Sequence, residues 1–570
     1  MTLHYFELAV SILLIAFALF TNTKNKTRQK KRWIKNAGLF HLKSSVYHGC
    51  FCFLYFIFAF LICYKADTIP TAYHVDEAGA AYDAINIAKY GIDRYLYKYP
   101  VYFINFGGGQ NALYTYLAAI LIKIFGYSII IVRLPAIILS LISAFCFSKL
   151  VQKKYGETAS LISIALHCIL PFSIMHSRWA LESYLLYPML IISCCVLFHA
   201  IHTGKSVFFL AAGILMGITL YSYAISYLLL VFYLALLLPV LFYFHKITWE
   251  NMITLGIPLF LLALPLLLML AVNNGMIEEI KTDFFSIPKL EIYRGNNISL
   301  QNIITNLQLN NNNLFYRIFF SDGLRYNAIP RFGTLYPFSI PLILTGFLKC
   351  LRSAYEDIKK KKLSTEILII LLFIASLLTS LLINEININR SCEIFFPLIY
   401  FLITGLLFII EKSKTAAILT AGAYMLLFMT FTQYYYSDNF RNDIKKSLVF
   451  NSIDDYTNAL RFINQLEDKN PKRTFVVGRS EAYIYTLLAL DIDSYHISDR
   501  ASMTKTITTQ NNEYHFLQYI DWDNLPDDNY YIFRDNTVIP WRIELMDFHT
   551  KDFGIVKVFY PNIDETPDNQ

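Results

Sequence analysis

Apolar residues recur in long runs from residue 4 to residue 432, separated by short polar connections, and then the pattern stops. A helix that crosses a bilayer needs about 20 predominantly apolar residues. On that measure spans are expected near 4–20, 46–64, 128–150, 158–173, 183–202, 206–223, 225–245, 252–272, 336–350, 366–384, 394–410 and 415–432, twelve in all within a range of 11–13. Residues 111–125 (NALYTYLAAILIKIF) are apolar as well, but only 15 long, with Lys123 among them. A crossing there would invert the side of every later loop, so the segment is expected to be interfacial or a half-helix joined to the next span.

Beyond residue 435 the periodicity changes. Ile453–Leu466 reads as an amphipathic helix, and Thr474–Val477 and Ile555–Tyr560 read as short strands, which predicts a small α/β domain docked on the membrane part. The fold class expected is therefore an all-α polytopic membrane protein with a C-terminal α/β domain. Its parts are an N-terminal extra helix with a basic loop (1–45), a transmembrane module (46–435) with large polar loops at 65–110 and 273–335, and the terminal domain (436–570).

Composition sharpens this reading. The chain is 56% hydrophobic and 16% charged, against roughly 45–50% and 25% in soluble proteins, which excludes a soluble enzyme for most of its length. The formal charge of +7 hides two regimes: residues 436–570 hold 22 of the 42 acidic and 14 of the 49 basic groups, a net of −8, leaving +15 for residues 1–435. Seven cations lie between Lys24 and Lys35, which marks a cytoplasmic loop and makes the first span an uncleaved anchor. The basic connections 148–157, 202–205, 245–250, 352–362 and 411–414 fall on that same side, so loops 65–110 and 273–335 and the tail are expected outside. An acidic tail offers no nucleic-acid footprint. All nine cysteines lie in or beside apolar runs, with no disulfide framework and no zinc-ligand spacing.

The densest polar cluster is His74-Val75-Asp76-Glu77, which opens a helical stretch ending at Gly91. Asp76 stands where an N-cap belongs and Glu77 in the first turn, so capping accounts for these residue types. A carboxylate fixed there, with His74 alongside, is also suited to accept a proton from a hydroxyl. Arg390 closes a polar run at a span end, where it can grip phosphate oxygens with two nitrogens or snorkel to headgroups. Arg178 and Glu182, spaced i, i+4, read either as a helix ion pair or as phosphate and sugar contacts. Arg133 sits among apolar residues, is costly without a partner, and reads as structural. Tyr223, in the Tyr221-Ser222-Tyr223 turn, would line a groove or anchor the interface. His167 and His176 have no companion ligands, and the Tyr293-Arg294 and Phe319–Tyr326 stretches suit sugar stacking only in an unspecific way.

Taken in order, these motifs resemble the GT-C glycosyltransferases, and within them glycosyltransferase family 39, the dolichyl-phosphate-mannose protein mannosyltransferases and bacterial aminoarabinose transferases. The likeness rests on the Asp76-Glu77 pair after an early span, Gly91-x-Asp93, Tyr99-Pro100, Gly107–Gly109, Val132-Arg133-Leu134-Pro135, Pro171 with His176-Ser177-Arg178-Trp179 and Glu182, and Asn387-Ile388-Asn389-Arg390. It covers about residues 46–410. The resemblance implies a multi-pass cell-membrane enzyme that moves a monosaccharide from a polyprenyl-phosphate donor to an acceptor hydroxyl of a glycan, lipid or protein on the extracytoplasmic side, usually with inversion. It implies Asp76 as base with Glu77 beside it, Arg390 and Arg178 at the donor phosphate, and His74, Tyr82, Glu182 and Tyr223 toward sugar or acceptor. No cofactor or metal is expected, since the loop carries Asp-Glu in place of the Asp-x-Asp of the related oligosaccharyltransferases. A transporter or lipid flippase would show inverted repeats with broken helices in both halves, and none is visible. A non-catalytic cell-envelope assembly subunit is the other alternative.

Overall fold

The structure is a computed structural model that describes residues 2–23, 44–71, 73–293, 300–445, 453–466, 473–478, 481–497, 503–508, 512–518, 529–534 and 548–561. The basic run 24–35 and Arg294 lie outside the described residues. In chain order the elements are α1 (Thr2–Thr23), α2 (Ser44–Cys63), α3 (Val75–Tyr90), β1 (Tyr102–Asn105), β2 (Gly108–Asn111), α4 (Ala112–Phe125), α5 (Ile129–Tyr155), α6 (Glu157–Ile169), α7 (Pro171–His176), α8 (Leu186–Thr203), α9 (Ser206–Leu220), α10 (Ile225–Tyr243) and α11 (Trp249–Asn273). After the small β3 (Ile280–Lys281) and β4 (Ser286–Ile287) come α12 (Leu300–Phe319), α13 (Ile340–Lys359), α14 (Thr365–Leu382), α15 (Phe395–Lys412), α16 (Lys414–Tyr435) and α17 (Asp438–Lys445).

Among the described residues nine helices are long and apolar enough to cross a membrane, with α4, α6 and α9 as shorter apolar helices. The sequence pattern predicts more full-length spans than this. The stretch 158–173 divides because α6 ends at Ile169 and Pro171, which has no N–H to continue the ladder, opens α7. Helix α13 is apolar only in its first half and runs on through Arg352 to Lys359. Residues 112–125 form a helix of their own, closed at Gly126, and α5 begins separately with Ser128 accepting the Ile131 N–H at 3.4 Å.

Two glycine contacts set the helix spacing. A Cβ on Gly346 of α13 would collide with the Phe401 carbonyl of α15, and one on Gly405 with the Leu342 carbonyl of α13. Gly213 and Gly217 admit α11 against α9 in the same way, by close approach to Leu255 and Leu262. Outward faces such as Phe53, Phe56 and Phe60 of α2, and Phe260 and Leu261 of α11, are exposed and apolar, as lipid contact requires.

The polar chemistry gathers at one end of the bundle. The C-terminal end of α2, the N-terminal ends of α3 and α5, the α9–α10 turn and the C-terminal end of α14 meet there. At the other end Lys154 pairs with Glu366 at 2.6 Å and Lys349 with Glu411 at 3.0 Å.

The terminal domain contains α18 (Ile453–Leu466), β5 (Arg473–Val477), α19 (Ala482–Ala489), β6 (Thr506–Thr508), β7 (Glu513–Leu517), β8 (Tyr530–Arg534), β9 (Phe548–Asp552) and β10 (Val556–Pro561). Its mixed sheet runs β6-β7-β5-β8-β10-β9, with β5 parallel to β7 and β8. Helix α19 docks on α3. The joint is polar and buried: Tyr82 donates to the Ile492 carbonyl at 2.7 Å, Tyr485 to the Tyr73 carbonyl at 3.0 Å, and Arg94, paired with Asp83, donates to the Tyr483 hydroxyl at 3.0 Å. The bundle crossing yields an expectation: Gly346→Val lowers thermal stability in detergent by about 1–3 kcal/mol through overpacking against α15, whereas the same change at the open Gly422 leaves the melting temperature nearly unchanged.

Candidate functional site

Helix α3 starts one residue before Asp76, at Val75, and its cap is His74, not Asp76 as the sequence suggests. The His74 Nδ1 accepts the Asp76 N–H at 3.2 Å, and Glu77 returns a hydrogen bond to the His74 N–H at 3.2 Å, a reciprocal box that satisfies two orphan donors. Gly91, at φ 73°, ends the helix in a left-handed conformation that residues with a Cβ rarely adopt. Asp76 is thereby freed from capping. Its side chain is 46% exposed, its Oδ1 accepts from Asn105 Nδ2 at 3.1 Å, and its Oδ2 lies 3.6 Å from the His74 ring.

Glu77 departs from the role expected of it. It is fully buried and grips Arg133 with both oxygens, Nε to Oε1 at 2.7 Å and Nη2 to Oε2 at 2.9 Å, while the Ala180 N–H adds a bond at 2.8 Å. Such a carboxylate orients the chain and is closed to an acceptor. Arg133 is structural, as read from the sequence, and its remaining donors hold the Ala66 and Pro70 carbonyls, each at 2.9 Å.

Arg178 is corrected too. Its guanidinium is fully buried and donates to the carbonyls of Leu61, Ile62, Tyr64 and Ile69 at 2.6–3.2 Å, with Tyr435 and Tyr436 stacked on it. No donor is left to face a phosphate. It forms no helix pair with Glu182, because α7 ends at His176 and Glu182 opens a separate 3-10 turn where it accepts the Asn111 N–H. Tyr82 lies in the joint with the terminal domain, away from the exposed face of Asp76.

Arg390 remains at the site. It is half-buried, and its Nη1 donates to the carbonyls of Asn384 at 2.7 Å and Glu385 at 3.2 Å in the loop that follows α14. Nε and Nη2 make no hydrogen bond among the described residues. Tyr223 and Tyr326 each stand within the electrostatic reach of both Asp76 and Arg390, and Tyr223 also of Glu182. Tyr223 and Tyr326 are thus neighbours common to the base candidate and the phosphate candidate. Tyr326 lies edge-on to His74 at 4.8 Å between ring centres, with Asn389 beside it. Burial raises its hydroxyl pKa, and burial likewise raises Asp322 behind it. Farther out, burial and then the neighbouring Asp83 push Asp93 up to about 8.

Asn105 is the site residue that sequence reasoning missed, and Tyr326 was read there only as part of an unspecific aromatic stretch. Arg133 was the available signal for Glu77, since a charge among apolar residues implies a buried partner. No group of three or more His, Cys, Asp or Glu suited to a metal occurs among the described residues.

Residues 111–272 match the family model described as dolichyl-phosphate-mannose-protein mannosyltransferase. The structure is similar to ArnT from Cupriavidus metallidurans bound to undecaprenyl phosphate, with a TM-score of 0.51 and 11% identity over 92% of this chain and 100% of that one. The protein shares its fold with this ArnT. Weaker likenesses of the same kind are ArnT in the apo state, at a TM-score of 0.46, 10% identity and coverage of 90% and 98%, and the Archaeoglobus fulgidus oligosaccharyltransferase tethered with an acceptor peptide, at 0.41, 12%, and 78% and 63%. No curated protein sequence matches. The Glu77–Arg133 pair carries a measurable load: Glu77→Gln or Arg133→Met alone is expected to cost about 3–5 kcal/mol in thermal unfolding, and the double variant less than the sum of the two.

Proposed function

We propose that this enzyme transfers a monosaccharide from a polyprenyl-phosphate donor to an acceptor hydroxyl on the extracytoplasmic side of the cell membrane, with inversion and without a divalent metal. The observation that carries the reading is the exposed Asp76 carboxylate, with Tyr223 and Tyr326 as neighbours common to it and to Arg390, whose Nε edge is unspent. The lipid bound in the Cupriavidus ArnT, undecaprenyl phosphate, is the kind of carrier the proposed transfer would release, and its phosphate has the chemistry Arg390 would receive.

In the step proposed, the acceptor oxygen attacks the anomeric carbon as its proton passes to Asp76. The carbon–oxygen bond to the lipid phosphate breaks on the opposite face, and the phosphate leaves with the electron pair. Asn105 fixes the Asp76 carboxylate through Oδ1, so the base meets substrate already oriented. Arg390 Nε and Nη2 offer two parallel donors to the phosphate oxygens, where negative charge develops. Tyr223 and Glu182 line the sugar side, and Tyr326 closes the wall beside His74. The acceptor is a hydroxyl of a glycan, lipid or protein. Glu77 and Arg178 act only by holding the frame.

In proteoliposomes given a labelled polyprenyl-phosphate monosaccharide and a hydroxyl acceptor, Asp76→Asn should lower transfer by about 10²-fold or more with insertion intact. Full activity in that variant would remove Asp76 as the base. Addition of EDTA should leave the parent rate unchanged, and a chelator-sensitive rate restored by a divalent cation would overturn the metal-free step.

A further inference from the structure

Two loops carry walls of the proposed site, and a single carboxylate joins them. Tyr326 belongs to the segment after α12, and Arg390 to the segment after α14. Between them Asp322 accepts the Ile388 N–H at 3.0 Å and the Asn327 Nδ2 at 2.6 Å through Oδ2, and the Leu324 N–H at 3.0 Å through Oδ1. The network extends inward. Tyr184 donates to Asn327 Oδ1 at 2.9 Å and approaches the Tyr326 carbonyl at 3.2 Å, and its ring stacks on His176 at 3.8 Å. Arg390 is tied to the same loop by its own N–H, which donates to Asn387 Oδ1 at 2.9 Å.

We propose that Asp322 is a positioning residue for the donor phosphate: its carboxylate locks the Tyr326 loop to the Arg390 loop, so that both side chains face Asp76 before substrate arrives. The inference rests on the donor reading above. A carboxylate suits the task because every group it meets is an N–H donor. An amide at this position has a single acceptor oxygen and turns an NH2 toward one of the three donors, leaving a buried N–H unsatisfied. Because one oxygen, Oδ2, takes both the Ile388 N–H and the Asn327 amide, an amide at 322 cannot donate to residue 327 and accept from Ile388 at once, whereas removal of the Asn327 side chain leaves the Ile388 bond in place.

The test compares the parent, Asp322→Asn and Asn327→Ala in proteoliposomes, with transfer kinetics and backbone hydrogen exchange read on each. Asp322→Asn should raise the donor KM by about tenfold or more and speed exchange at Ile388, with the acceptor KM unchanged. Asn327→Ala, which keeps the carboxylate and its bond to Ile388, should leave exchange at Ile388 near the parent value. A merely structural role would lower folded yield without moving the donor KM apart from the acceptor KM, and that result overturns the proposal, as does unchanged exchange at Ile388 in Asp322→Asn. If the parent itself shows no transfer from polyprenyl-phosphate sugars, the donor reading fails, while faster exchange at Ile388 in Asp322→Asn than in Asn327→Ala still supports the lock.

Discussion

The buried ion pair between Glu77 and Arg133 is the constraint on which the rest of the site depends. Two charges with no exposed surface are costly to bury unless their bonds are nearly all made. Here they are: Glu77 takes two bonds from Arg133 and one each from the His74 and Ala180 backbones, and Arg133 spends its other donors on the 66–70 segment. One pair therefore joins the α2–α3 linker, the start of α3, the start of α5 and the strand-like residues before Glu182. Asp76 is its sequence neighbour, and a helix turn directs it the other way, toward solvent. The buried carboxylate holds and the exposed one remains available for chemistry.

Arg178 solves a related problem. The chain leaves α2 at Cys63 and follows an irregular path to His74, which exposes carbonyls at the edge of the membrane module where backbone groups must be satisfied within the protein. A guanidinium has five donors in a fixed plane, and Arg178 uses them on four carbonyls of that path. The stacked Tyr435 and Tyr436 bring the end of α16 into the same knot. On the far side of α3 the Arg94–Asp83 pair meets the terminal domain at the Tyr483 hydroxyl, and Tyr485 of that domain donates to the Tyr73 carbonyl. The helix that carries Asp76 is thus held on both flanks.

This division of labour explains which residues could be read from the chain alone. Asp76 stood out because two adjacent carboxylates after an apolar run are unusual, and Arg390 because it ends a polar stretch at a helix boundary. Glu77, Arg178 and Tyr82 were given substrate roles for the same reasons of type and place, yet each is withdrawn into the interior. A polar residue near a membrane boundary looks the same in sequence whether it faces a cavity or a buried partner. Glu77 and Arg133 are 56 positions apart, and Tyr82 meets a carbonyl 410 positions away. Asn105 and Tyr326 gave no comparable signal, since an amide in a hairpin and a tyrosine in an aromatic loop are common.

Hydropathy, charge placement and helix signals act over short stretches, so the sequence by itself determined the membrane character, the chain order of apolar helices, the stop at Gly91 and the α/β character of the tail. Of the stretches expected to span, Pro171 divides 158–173 into α6 and α7, and α13 runs on past its apolar half into a charged one. Tertiary structure decided which charged groups cancel inside and which stay available. That outcome depends on distances between segments remote in the chain, and desolvation allows a charge to be buried only where the fold brings its partner within reach.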